Sequence, residues 1–278
     1  MTLNKFYVDE VIKNAIKEDI NYIDVSADYL IPENQRNDSY FIAKDDGILC
    51  GLDVAMRVFE LLDDTFAFTA HKKDGDEVKK GDIIVEFNGL TRELLKGERT
   101  ALNLIQHMSG IATAANKAVK LCDGTCASVA DTRKTLPGLR SLQKYAVTCG
   151  GGRNHRYNLS DGAMLKDNHI DACGGIIPAV EALREKLGHM VKIEVETRNM
   201  DEVEQAVSAK ADVIMLDNMN CEQMAEAVKY IGGRAKTEAS GNITLQNIAE
   251  VAKTGVDIIS LGALTHSVKA FDISMKMK

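Results

Sequence analysis

No stretch of this 278-residue chain approaches the run of about 20 apolar residues that a membrane-crossing helix needs. The opening segment, MTLNKFYVDEVIKNAIKEDI, mixes charges into an amphipathic pattern and has no signal-peptide core, so the chain is expected in the cytoplasm and off the membrane. Positive charge is in deficit: 34 Lys and Arg stand against 41 Asp and Glu, a formal net charge of -7. Neutralising a phosphate backbone takes an excess of Lys and Arg, which argues against a nucleic-acid binder and makes any local basic cluster something to explain. The six cysteines (Cys50, Cys122, Cys126, Cys149, Cys173 and Cys221) include no C-x-x-C pair, and Cys122 and Cys126 lack a second Cys/His pair at zinc-finger spacing. Ordinary reduced thiols are expected in that compartment. There is no G-x-G-x-x-G or Walker loop either; Gly150-Gly151-Gly152 reads as a tight turn leading into Arg153 and Arg156.

What is present is the composition of a globular protein, 45% apolar and 27% charged, long enough for one large barrel and a smaller unit. Residues 1 to about 110 combine helical patterns with short strands. YFIAKDDGILCG reads as strands broken by a Gly turn, DVAMRVFELLD as a short amphipathic helix, and FAFTAHKKDGDEVKKGDIIVEFNG as hairpin-like. A long helix is predicted over Thr91 to Leu121. Ala101, Leu104, Ile105 and Met108 fall on its apolar stripe, with Arg99, Asn103 and Gln106 on the opposite face.

From about residue 111 to 265, strand and helix alternate in a short beat suited to a β/α barrel. The strands end in polar or small residues: ASVAD before Thr132-Arg133-Lys134, GAMLK at Lys166, KIEVE at Glu196, DVIMLD at Asp217, KTEAS at Ser240 and DIISLG at Gly262. Glu196, Asp217 and Glu238 recur at intervals of 21 residues. Asn199, Asn220 and Thr244 are candidate N-caps, and Gly232 and Gly255 candidate helix stops. Because barrel active sites sit at the strand C-termini, these polar ends are expected around one cavity.

Between Arg133 and Lys166 there are seven cations (Arg133, Lys134, Arg140, Lys144, Arg153, Arg156, Lys166) and one anion, Asp161, a local balance of +6 in an acidic chain. Guanidinium forks suit carboxylate or phosphate, so the expected partner is a small polyanion. Glu196 and Asp217, on neighbouring strand ends, would repel unless something cationic lay between them; Mg²⁺ is the usual resident beside phosphates, and sugar hydroxyls are the alternative. Ser240-Gly241-Asn242 and Ser260-Leu261-Gly262 follow the last two strands, where small residues and a following helix N-terminus could receive a phosphate. Two other motifs point elsewhere. Lys276 in Met275-Lys276-Met277 resembles a biotinylated lysine but has no following strand to make a hairpin tip. Lys166 as a Schiff-base lysine would need an apolar, charge-poor setting that its neighbours do not suggest.

Asp131-TRKTLPGLR-Ser141, followed by KYAVTCGGGRNHRYNLSDGAMLKDNHI over 144–170, resembles the signature of the quinolinate phosphoribosyltransferases. GERTALNLIQHMSGIAT, KIEVE, VIMLDNM, TEASGNIT and ISLGALTHS match in order, so the resemblance spans essentially the whole chain. It implies an α/β fold: an incomplete β/α barrel over 111–265, preceded by a smaller α/β sandwich domain with an antiparallel sheet over 1–110, with the tail 266–278 packed back on that domain. It implies that quinolinate and phosphoribosyl pyrophosphate, with Mg²⁺, give nicotinate mononucleotide, pyrophosphate and CO₂ in NAD biosynthesis. On this resemblance Arg133, His155 and Arg156 would grip the quinolinate carboxylates. Lys134 and Lys166, beside Thr132, would contact the substrates near the reacting centre. Glu196 and Asp217 would hold the ribose hydroxyls and the metal. Ser240, Gly241, Asn242, Ser260, Leu261 and Gly262 would bind the 5′-phosphate. Arg99 resembles an arginine that reaches into the partner subunit's site, which implies a homodimer, alone or within a higher oligomer.

Overall fold

The computed structural model describes residues 3–278. Packing divides them into two compact units. The first comprises residues up to 116 together with 135–151 and 264–278; the second comprises 117–134 and 152–263. Residues 135–151 thus lie with the N-terminal segment, on the far side of the division expected near residue 110.

The first unit opens with helices α1 (Lys5–Asp19) and α2 (Ala27–Leu30), then strands β1 (Arg36–Ala43) and β2 (Gly47–Ile48), helix α3 (Leu52–Glu60), strands β3 (Ala67–Ala70), β4 (Glu77–Val78) and β5 (Ile83–Leu90), and the long helix α4 (Thr91–Leu121). Its main sheet is four-stranded and antiparallel in the order β12-β1-β5-β3, where β12 (Ile273–Met277) is the C-terminal strand, while β2 and β4 form a separate ribbon. Along β1, every second residue from Ser39 to Ala43 is buried, the period-2 signature of a sheet with one covered face. On that face Phe41, Phe59 and Phe87 meet with ring centroids 5.2 Å (Phe41–Phe87) and 5.3 Å (Phe59–Phe87) apart, so α3 packs on the sheet through aromatic contacts.

The α4 stripe of Ala101, Leu104, Ile105 and Met108 is buried as its spacing predicts. The opposite face is not wholly given to water. Gln106 donates its side-chain amide to the Ile273 carbonyl at 2.7 Å and accepts the Phe271 N–H on its backbone carbonyl at 2.9 Å. A Cβ on Gly110 would collide with the Lys269 carbonyl, so the tail lies directly against α4. Lys276 pairs with Tyr40 inside the sheet and is not at a hairpin tip.

The chain continues through β6 (Ser128–Ala130), α5 (Arg140–Cys149, in the first unit), β7 (Ala163–Leu165), α6 (Asp167–Ala172), α7 (Ile176–Lys186), β8 (Ile193–Thr197), α8 (Met200–Ser208), β9 (Val213–Asp217), α9 (Cys221–Ile231), β10 (Lys236–Ser240), α10 (Ile248–Lys253), β11 (Ile258–Ser260) and α11 (Ala263–His266). The six strands of the second unit are all parallel, in the order β6-β11-β10-β9-β8-β7. Among the described residues no ladder joins β6 to β7, so the barrel is incomplete. Instead Arg153 makes a single parallel bridge with Ala130 on the open side of β6.

The helix boundaries follow their caps. The Asn199 side chain accepts the Glu202 N–H, and Asn220 forms a reciprocal capping box with Gln223. Gly232, left-handed at φ 54°, stops α9. Thr244 differs from its expected role: it opens a turn, accepting the Ile248 N–H at 3.0 Å, and Asn247 occupies the cap position of α10. No helix among the described residues is long and apolar enough to cross a membrane.

Candidate active site

At the C-terminal ends of the second unit's strands lies an open cavity of about 610 Å³. In β8, strand alternation puts Glu194 and Glu196 on one side, and in β10 it puts Glu238 and Ser240 on one side. The inward positions therefore form two tiers. An upper tier lines the mouth, and a lower tier plugs the barrel beneath it.

The upper tier contains most of the residues expected from sequence. Thr132, Arg133 and Lys134 follow β6 into the cavity wall, and Lys166, Glu196, Asp217 and Ser240 stand at successive strand ends. Lys166 Nζ is 3.1 Å from Glu196 Oε2, an ion pair that gives the ammonium a counter-charge instead of the apolar setting a Schiff-base lysine requires. Asp217 accepts the Asn218 side-chain amide at 2.6 Å. Arg156 is aimed by its own loop: Nη1 donates to the Gly162 carbonyl at 2.7 Å. Burial first, and the Arg133 guanidinium second, lower its pKa. An anion bound between the two guanidiniums would relieve the second effect.

The lower tier is less anticipated. His155 lies in the cavity wall, with Nε2 3.1 Å from Glu194 and 3.5 Å from Glu238. Its Nδ1 accepts the Arg156 N–H at 2.8 Å, which assigns the ring proton of the neutral tautomer to Nε2, facing the two carboxylates. Both ring nitrogens thus have protein neighbours. Glu238 is 1% exposed, and its Oε1 and that of Glu194 are buried with no hydrogen-bond partner. Burial first, then the Glu194 carboxylate, push the Glu238 pKa up to about 7, against the opposing pull of His155. The His155 loop is held by Asp131, fully buried at the end of β6. Asp131 accepts the His155 N–H at 2.9 Å and the Asn154 side-chain amide at 2.6 Å.

The loops after the last strands close the far rim. Gly241 is left-handed at φ +85°, and a Cβ there would collide with the Asn218 side chain. Asn218 and Asn242 also adopt positive φ, 56° and 51°, and Asn242 donates to Asn218 Oδ1 at 3.0 Å. This asparagine clasp brings the turns after β9 and β10 together. Because α10 starts only at Ile248, the backbone of the turn itself, and no helix N-terminus, lies beside Gly241. Ser260 lines the cavity, whereas Leu261 is buried with its N–H donated to the Ala130 carbonyl at 2.9 Å, and neither Leu261 nor the half-buried Gly262 is a lining residue. Arg99 is exposed on α4 of the first unit and is not a lining residue either.

Sequence reasoning missed Glu238, Asn218, Met164 and Met215 as wall residues, and Glu194 and Asp131 as the buried partners that hold His155 and its loop. The signal for two of them was present. Glu194 shares a strand face with Glu196 by period 2, and Glu238 continues the 21-residue interval.

Comparison with known proteins agrees over the full length. Residues 24–109 match the quinolinate phosphoribosyl transferase N-terminal domain, and residues 111–276 match the C-terminal domain of the same family. The chain is 45% identical over 273 residues to a probable nicotinate-nucleotide pyrophosphorylase (carboxylating) of Bacillus subtilis, covering 98% of this chain and 94% of that protein. It is 42% identical over 286 residues to the chloroplastic carboxylating nicotinate-nucleotide pyrophosphorylase of Arabidopsis thaliana, covering 96% and 82%. Among solved structures, NadC from Streptococcus pyogenes superposes with a TM-score of 0.96 at 42% identity, covering 99% of this chain and 98% of that one. With both domain families matched in order and a cavity that sets cations against carboxylates, the chain belongs to the quinolinate phosphoribosyltransferase family.

Proposed function

We propose that this chain transfers the phosphoribosyl group of phosphoribosyl pyrophosphate to quinolinate, releasing pyrophosphate and CO₂ and leaving nicotinate mononucleotide. The observation that carries this reading is the polarity of this cavity. Arg133, Lys134 and Arg156 line it together with Glu196 and Asp217. A dicarboxylate calls for the cations, and the hydroxyls of a phosphorylated sugar call for the carboxylates. The guanidiniums bind the carboxylates of quinolinate, and Glu196 and Asp217 accept the ribose hydroxyls. The turns at Ser240-Gly241-Asn242 and at Ser260 bring backbone N–H groups close to the 5′-phosphate.

As pyrophosphate leaves C1 of the ribose, positive charge grows on the sugar, and fixed carboxylates stabilise it. The pyridine nitrogen then bonds to C1 and becomes cationic. The C2 carboxylate departs as CO₂, and its bonding electrons are held beside the positive nitrogen until C2 takes a proton. Lys166, partnered by Glu196, keeps a cation at the reacting centre. Clamping the departing carboxylate too tightly would oppose its loss, so the stronger cationic grip belongs on the carboxylate that stays. His155, with both ring nitrogens turned to protein partners, supports this wall by holding its shape over Glu194 and Glu238 more than by direct ligation.

Mg²⁺ fits the donor set. Glu196 and Asp217 are hard oxygen donors lining one cavity, as suits an ion that keeps most of its shell for water and substrate oxygens. When bound, the ion would supply charge neutralisation to the departing pyrophosphate.

The working unit in this reading is a homodimer in which Arg99 completes the partner's cation wall, in a location of cytoplasmic type. The single chain gives a reason to associate: Phe6, Tyr22, Tyr29 and Leu30 are each at least 74% exposed in the N-terminal segment, an apolar surface that calls for cover. Incubating the purified protein with Mg²⁺, phosphoribosyl pyrophosphate and either quinolinate or nicotinate tests the assignment. Nicotinate mononucleotide should form from quinolinate; turnover of nicotinate without quinolinate would overturn it.

A further inference from the structure

Cys50 and Cys149 are 99 residues apart, yet their sulfurs and one Asp74 carboxylate oxygen lie within 4.8 Å of one another. All three belong to the first unit and take no part in the chemistry proposed above. One helix holds both cysteines. The Cys50 N–H donates to Ser109 Oγ at 2.9 Å and the same hydroxyl donates back to the Cys50 carbonyl at 3.0 Å, which fixes Cys50 on α4. Cys149 ends α5, and the next residue, Gly150, is pressed against the same helix. A Cβ on Gly150 would collide with the Ala112 carbonyl, and Asn116 donates to the Gly150 carbonyl at 3.3 Å. Ser109 and Ala112 are one helical turn apart, so α4 presents the two thiols to each other from adjacent anchors.

Asp74 has a separate duty. It accepts the Gly51 and Leu52 N–H groups at 2.9 Å each, capping α3, and the Tyr145 hydroxyl at 3.0 Å. No comparable duty accounts for the sulfurs, and the two are unequal. Cys50 is fully buried, and burial pushes its thiol well above the ordinary range. Cys149 is half-buried, and the hydrogen bond from Cys50 lowers its pKa. Cys149 is also the less buried of the two, so an oxidant entering from solvent meets it first, with the Cys50 thiol behind it.

We propose that Cys50 and Cys149 are a redox-active dithiol that closes to an intramolecular disulfide under peroxide and is reopened by a small thiol. The Cys149 thiolate attacks hydrogen peroxide, breaking the O–O bond to give the sulfenic acid and hydroxide. The Cys50 sulfur then displaces the sulfenic oxygen, forming the S–S bond and releasing water. Two electrons leave the sulfurs and peroxide is reduced to two water equivalents. Two molecules of small thiol reverse the step through a mixed disulfide.

Peroxide treatment of the full chain, followed by thiol counting under denaturing conditions and non-reducing peptide mapping, tests this. The count should fall from six toward four, with Cys50 and Cys149 in one linked peptide pair, and return to six with dithiothreitol. In Cys50→Ser the intermediate has no thiol to resolve it, so dimedone should label Cys149 there and not in the wild type. Exposed Cys126, Cys173 and Cys221 are internal competitors. Oxidation confined to them, or a zinc ion that co-purifies one per chain and protects Cys50 and Cys149 from peroxide, would overturn the proposal; the second result would make the cluster a metal site.

Discussion

Burying Glu238 beside Glu194 takes away a charge that the side chain would carry freely when unfolded. Its folded pKa of about 7 lies above that of an unfolded glutamate, near 4.3. The protonated form is therefore favoured by folding. The stability it contributes is fully present below pH ~4.3 and is lost as pH rises through 7. Glu238→Gln keeps the shape without titrating. Urea unfolding midpoints at pH 5 and pH 8 should fall further in the wild type than in the variant; parallel falls would show that Glu238 titrates normally. Arg133 carries a different prediction. A charge-assisted hydrogen bond contributes about 1.5–3 kcal/mol, so Arg133→Ala should lower kcat/KM for quinolinate roughly 10- to 150-fold, at ~1.4 kcal/mol per decade. A change in thermal stability alone would make Arg133 structural. Lys166, Glu196, Asp217 and Ser240 were legible because each ends an apolar strand, and Arg133 and Arg156 because they fall in a local excess of cations. Glu194 and Glu238 were passed over, although period 2 and the 21-residue interval pointed to them, because the interior of a parallel barrel is expected to be apolar.

Local chemistry explains which elements could be read. Asn199 and Asn220 begin helices because their side chains take the N3 amides, and both were visible as caps. Thr244 failed as a cap because Asn247, three residues on, sits nearer the first helical residue and its side chain accepts the Thr244 N–H instead. The place of α5 could not be read at all, since an amphipathic pattern says that a helix packs but not on what. The clasp between the turns after β9 and β10 depends on positive φ at Asn218, Gly241 and Asn242, of which only the glycine is conspicuous in sequence. Gly241→Ala would force that clasp apart. Its KM for phosphoribosyl pyrophosphate should rise at least tenfold while quinolinate affinity changes little, by initial-rate kinetics. Equal effects on both substrates would mean that the turn supports the whole cavity and not the phosphate end.

At the scale of the molecule, Arg99 is exposed and is not among the residues that line the cavity, and the role proposed for it comes from family resemblance alone. If each active site borrows Arg99 from its partner, mixing two inactive variants restores function. Arg99→Ala and Lys166→Ala, unfolded and refolded together, should regain about a quarter of wild-type activity, because half the dimers are mixed and each has one intact site. No recovery would place Arg99 and Lys166 in the same subunit's site. The claim beneath all of this is that one cavity joins a dicarboxylate to a sugar and then removes one carboxylate. Quinolinate labelled in its C2 carboxylate tests it most directly. With phosphoribosyl pyrophosphate and Mg²⁺, one labelled CO₂ should appear for each pyrophosphate released, and none when the sugar donor is omitted. Labelled CO₂ without pyrophosphate, or pyrophosphate without labelled CO₂, would contradict the account.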